Sequence, residues 1–87
     1  MFDEDEHERK LLKRITHNPQ IYGGKAIIRG RRLAVDHVLG MMIGGSSREE
    51  ILDHFDWLES DDITACLLYA QKLVERERVG SLAESAK

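Results

Sequence analysis

Four cations stand within one short stretch, Lys25, Arg29, Arg31 and Arg32, and they are the ionisable residues whose types and spacing could act together. Lys and Arg donate to phosphate oxygens, and the Arg fork also fits the acceptor edge of guanine, so a turn projecting these side chains would suit nucleic acid. The competing reading is solvated charge or contact with a protein partner. Other chemistries have thinner support. His7, His17, His37 and His54 share neither the i, i+4 nor the CxxC-like spacing that builds a metal site on one element, so no metal and no cofactor are expected. Asp61 and Asp62 open a predicted helix, where the macrodipole accounts for them. Ser46, Ser47 and Ser60 read as turn and cap residues rather than nucleophiles. Cys66 lies on an apolar helical face as a small core residue and has no second cysteine to bond with. The run GGKAIIRG lacks the order and context of a phosphate loop. These readings together imply no enzymatic activity.

The elements that must position the cations follow from the glycines and the apolar periodicity. Gly23-Gly24 and Gly30 supply positive φ for two reversals, which predicts a small β-hairpin over residues 20–34. Val35, Val38, Leu39, Met42 and Ile43 fall on one helical face, and Gly44-Gly45 ends that helix. Ser47 with Glu50 forms a capping box that opens a second helix over 48–55. Trp57 and Leu58 plug the end of the core. Ser60 caps a third helix running to about Arg78, with Ile63, Cys66, Leu67, Ala70, Leu73 and Val74 as its apolar stripe. The predicted core is Val38, Leu39, Met42, Ile51, Leu52, Phe55, Ile63, Leu67 and Ala70. Ahead of the hairpin, acids followed by bases suit a short helix from Asp5 to Lys13, the competing reading being a solvated arm docked by Leu11 and Leu12.

Length allows one domain, divided here into an arm or short helix at 1–14, a body at 15–79 and a frayed tail at 80–87. An acidic start and the lack of a long apolar run argue against a secretory signal or a membrane span, and the lone cysteine fits a cytoplasmic location. The formal charge of −3 is unevenly spread. Residues 15–45 hold the four cations against Asp36 alone, whereas residues 46–79 are strongly acidic, so a polyanion would meet the first region and be repelled by the second. Leu11, Leu12, Ile21, Tyr22, Ile27 and Val79 exceed what a three-helix bundle covers, which predicts a homodimer.

The stretch NPQIYGGKAIIRGRRLAV resembles the core pattern of the domain of unknown function 433 family, small helical modules often regarded as antitoxin-like. Asn18, Pro19, Ile21, Gly23, Gly24, Lys25, Ile28, Gly30, Arg32, Leu33 and Val35 carry the likeness. It continues through Gly45, Ser47 and Glu50-Ile51-Leu52, then Leu58, Asp62, Ile63, Ala65, Leu68, Tyr69 and Ala70. Arg31 replaces a threonine of the pattern, and Ala26, Ala34 and Asp56 replace prolines, which changes the charge of the turn and loosens the loops. The resemblance and the periodicity together imply a mainly α fold, a three-helix helix-turn-helix-like (homeodomain-like) bundle with a small N-terminal β-hairpin and the extra helix before it. The resemblance further implies a regulatory module that neutralises a nuclease-like toxin and binds its operator DNA. The alternative is a homo-oligomeric protein-interaction domain without nucleic-acid binding. Glu59, Asp61 and Asp62 at the start of the third helix would repel phosphates, so the basic hairpin is the expected DNA contact.

Overall fold

The structure, a computed structural model, describes residues 4–76. It is mainly helical, with four helices and a two-stranded antiparallel sheet. Helix α1, Glu4–Leu12, begins in acids and ends with Arg9 and Lys10, the order that complements the macrodipole. It packs along α4 (Ser60–Glu75) through buried Leu11 and half-buried Leu12, so the N-terminal stretch is a docked helix.

The hairpin begins earlier than residues 20–34. Strand β1, Ile15–His17, pairs with β2, Ala26–Ile28, in the register Ile15↔Ile28, Thr16↔Ile27 and His17↔Ala26. A three-residue strand offers too little alternation to be read from sequence. The chain reverses in two steps. Asn18 Oδ1 accepts from the Gln20 amide at 2.9 Å, and Tyr22–Gly24 then forms a single 3₁₀ turn with Tyr22 and Gly23 both at positive φ. After β2 the Arg31 amide donates to the Ile28 carbonyl at 2.8 Å across Arg29 (φ 46°) and Gly30 (φ 71°), the pair of positive φ values that a type I′ turn requires. Beyond it, the expected second strand amounts to one bridge, Ile27↔Ala34.

Helix α2, Val35–Ile43, starts from Ala34, whose amide donates to His37 Nδ1 at 3.2 Å. It stops in a Schellman arrangement: Gly45 (φ 102°) donates to the Met42 carbonyl and Ser46 to that of Met41, both at 3.0 Å. Helix α3, Arg48–His54, opens with the expected capping box, the Glu50 amide donating to Ser47 Oγ at 3.1 Å and the Ser47 amide to Glu50 Oε1 at 2.7 Å. At α4 the cap differs from expectation. Glu59 rather than Ser60 is the N-cap, and Asp62 Oδ2 accepts from its amide at 2.8 Å. Val79, the last turn expected to reach Arg78, and the tail at 80–87 lie outside the described residues.

Ile28, Leu33, Val35, Val38, Ile51, Leu58, Ile63 and Cys66 form the main core, with Leu39, Met42, Leu52, Phe55 and Trp57 half-buried against it. One residue of the predicted core, Leu67, and one of the predicted apolar face of α2, Ile43, need correction. Leu67 is 39% exposed, because α4 turns Ala65 and Cys66 inward and Leu67 lies about 100° round from Cys66. Ile43 is 86% exposed, since it sits at the margin of the α2 stripe, about 80° from Val35. Ile27 and Ile28 are both fully buried although neighbouring strand residues face opposite ways. Strand β2 is covered on both faces, with Ile21 and Ala34 closing over Ile27 in a second small cluster. The excess of apolar residues inferred from sequence therefore shrinks, since Leu11, Ile21 and Ile27 are buried within one chain.

Candidate functional site

The four cations of the basic segment have four different fates. Lys25 reaches Asp36 at 3.8 Å, both side chains well exposed, a pairing worth little in water. Arg29 turns inward. Its Nε donates to Asp62 Oδ1 at 3.0 Å and its Nη2 to Asp62 Oδ2 at 2.8 Å, the forked pairing that suits a guanidinium and a carboxylate. The same Nη2 donates to the Trp57 carbonyl at 3.0 Å. Arg31 lies over the Trp57 ring, with Cζ 4.3 Å from the centroid. Arg32 is exposed, and its carbonyl accepts from the Tyr22 hydroxyl at 3.1 Å.

Asp62 is the hub that sequence reasoning passed over. It has no exposed surface, and it binds Arg14 as well as Arg29: Arg14 Nη1 donates to Asp62 Oδ1 at 3.0 Å and to Glu59 Oε1 at 2.7 Å. Asp61 lies 3.7 Å from the same guanidinium. With the Glu59 amide, the Asp62 carboxylate accepts four hydrogen bonds, which fills its lone-pair sites. Burial alone would raise its pKa. The hydrogen bonds from Arg29, the Glu59 amide and Arg14 outweigh it and hold the carboxyl below its ordinary value. Two signals were available in the sequence: a non-glycine residue in the first central position of an Arg-Gly reversal, and a second acid where one suffices for the dipole.

The other ionisable groups serve local structure. His17 Nδ1 bonds the Gly24 carbonyl at 3.0 Å, His37 caps α2 and meets the Tyr22 ring edge-on, and His54 meets the Phe55 ring edge-on. Among the described residues no three His, Cys, Asp or Glu side chains gather as a metal ion would need. Cys66 is fully buried, and burial, with a smaller contribution from the Asp62 charge, pushes its thiol up to about 12. Arg48 ties α3 to α4 by donating to the Ser60 carbonyl and hydroxyl at 2.8 and 2.9 Å. No described helix is long and apolar enough to cross a membrane.

Fold and site together define a small, mainly helical domain in which a tight basic turn is ion-paired to the start of α4. The model of the family described as Protein of unknown function (DUF433) matches residues 15–70, well over half of the chain, and the chain belongs to that family. The match starts at the first residue of β1, so α1 and Arg14 lie outside it whereas Arg29, Trp57 and Asp62 lie within. No curated protein and no solved structure matches the chain.

Proposed function

We propose that this protein is a non-enzymatic regulatory binding module, antitoxin-like in neutralising a nuclease-like partner, which contacts its operator DNA through the basic turn. One observation carries the DNA part: Arg31 and Arg32 stay exposed on a turn immobilised by Arg29, while Arg14 and Arg29 counter the acids that open α4. The repulsion expected from Glu59, Asp61 and Asp62 is thereby reduced at the place nearest the turn. On this reading α3 and α4 are a helix-turn-helix-like pair that supports the turn rather than reading bases. The packing of α1 along α4 favours that division, since His7, Glu8 and Leu11 share a hollow with Thr64, Leu67 and Gln71 and limit access to the outer face of α4. Titrating duplex DNA from the gene's own upstream region across a salt series tests the proposal. Arg31→Ala with Arg32→Ala should weaken binding across sequences and reduce the salt slope by about 0.9 for each phosphate no longer neutralised. An equal weakening from Thr64→Ala with Gln71→Ala, and none from the arginine pair, would move the DNA-binding surface to α4.

A homo-oligomeric interaction domain is the second reading. Its specific support is the apolar surface that α4 leaves in water at Leu67, Leu73 and Val74.

A further inference from the structure

Among the described residues, Arg31 is the cation of the basic turn that lies over an aromatic ring without a carboxylate partner. Its Cζ stands 4.3 Å from the centroid of Trp57, while Arg29, whose Cζ is 5.6 Å from the same ring, spends its donors on Asp62 and the Trp57 carbonyl. Arg31 makes no described hydrogen bond through its guanidinium and is exposed, so its donors meet water. The backbone beneath it is fixed. Its amide donates to the Ile28 carbonyl at 2.8 Å, its carbonyl accepts from the Leu33 amide at 2.8 Å, and the Gly30 amide donates to Thr16 Oγ1 at 2.9 Å. Tyr22 also meets the turn, 42% exposed, with its hydroxyl anchored on the Arg32 carbonyl and its ring edge-on to His37. One aromatic ring, that of Trp57, thus lies under the Arg31 side chain, and a second, that of Tyr22, is tied to the backbone of Arg32.

Interleaved rings and guanidinium planes suit unpaired bases better than a closed duplex. A base that has left its stack gains by lying on an aromatic face or an arginine plane, and the neighbouring cation takes the phosphate. A guanidinium already held over a tryptophan loses little freedom when a base closes over it. We propose that Arg31 on Trp57 is a stacking platform for an unpaired base of a nucleic-acid strand, with Tyr22 as a second station and Arg32 on the intervening phosphate. This rests on the nucleic-acid reading above and narrows it from phosphate contact to capture of single-stranded or locally opened sites.

Trp57 is the chain's single tryptophan, so its fluorescence reports on the platform directly. The experiment titrates the full chain with a thymidine oligonucleotide, an abasic strand of equal length and a duplex of equal length at one low salt concentration. The thymidine strand should quench Trp57 and bind roughly tenfold tighter than the abasic strand for each base stacked. Arg31→Lys, a surface change that keeps the charge and removes the plane, should abolish that preference while leaving the salt slope intact; Tyr22→Leu should reduce it. Equal binding of thymidine and abasic strands, or an unchanged preference in Arg31→Lys, overturns the stacking platform. If the duplex still binds with a salt slope that depends on Arg31 and Arg32, the broader proposal survives that failure. If none of the three nucleic acids binds, both fall.

Discussion

At the scale of single residues, Asp62 decides more than any other side chain. A carboxylate withdrawn from water is costly unless its lone pairs are filled, and here two guanidinium groups and one amide fill them. Replacing Arg14 and Arg29 together by methionine should leave that charge uncompensated and cost about 3–5 kcal/mol in urea titrations. Asp62→Asn should be milder, because both arginines retain access to solvent. The pH dependence has a definite sign. The folded carboxyl titrates below its unfolded value of about 3.9, so the unfolded chain takes up the proton first. The stabilisation is full above that value and is lost as pH falls through the lower, folded one. Urea midpoints measured from neutral pH into this acid range should fall steeply for the unmodified protein and less steeply for Asp62→Asn; parallel acid limbs would remove Asp62 from that role. Cys66 makes a second residue-scale prediction. A fully buried thiol pushed up to about 12 has almost no thiolate at neutral pH, so an aromatic disulfide reagent should label it only as fast as the chain opens. Rapid labelling in native buffer, with no acceleration by mild urea, would contradict the burial.

At the scale of elements, what could be read from sequence tracks how local each signal is. The Ser47–Glu50 box and the Gly44-Gly45 stop involve residues three or four apart, and α3 begins and α2 ends where those signals put them. Strand β1 was illegible because three residues carry no period, and its partner lies a two-step reversal away. The Glu59 cap was illegible for a different reason: it depends on Asp62, which is committed to arginines 33 and 48 residues earlier in the chain. The positive φ values at Gly23, Gly24 and Gly30 were expected from residue type, whereas those at Tyr22 and Arg29 were not. At Arg29 the side-chain bonds to Asp62 and Trp57 offset the backbone cost of the left-handed conformation. Gly30 tests the turn cleanly, since a Cβ there would meet nothing within 4 Å and any penalty must come from φ. Gly30→Ala should therefore cost about 1 kcal/mol, and Gly30→Asn less, because asparagine visits the left-handed region more readily. An alanine variant as stable as the unmodified protein would mean that the turn relaxes to another conformation. Ser47→Ala should cost about 1 kcal/mol by loss of the α3 cap.

At the scale of the whole molecule, burying β2 on both faces lets a chain this small cover more apolar surface than its helices alone would. Ile51 is a firm test of the core: truncation to alanine should cost about 2–5 kcal/mol, whereas the same truncation of Leu67, with over a third of its surface in water, should cost well under that. The apolar surplus has moved rather than vanished. Leu11, Ile21 and Ile27 are satisfied within the chain, and among the described residues what stays in water is Leu67, Leu73 and Val74 along α4, with Ile43 at the end of α2 and Tyr22 beside the basic turn. Leu73 also borders two neighbouring hollows, one with Leu12, Ile15 and Tyr69 and the other with Val35, Leu39 and Ala70. If the protein is the homodimer proposed from composition, this half of α4 is where a second copy gains most, since two-fold pairing hides the same residues on both chains at once. Sedimentation should then show a dimer at micromolar concentration, and Leu73→Asp with Val74→Lys should yield a folded monomer, because neither side chain belongs to the core. A monomer throughout the concentration range would leave that surface to a different protein. A dimer unaffected by the double substitution would place the interface elsewhere, with exposed Ile43 the next residue to change.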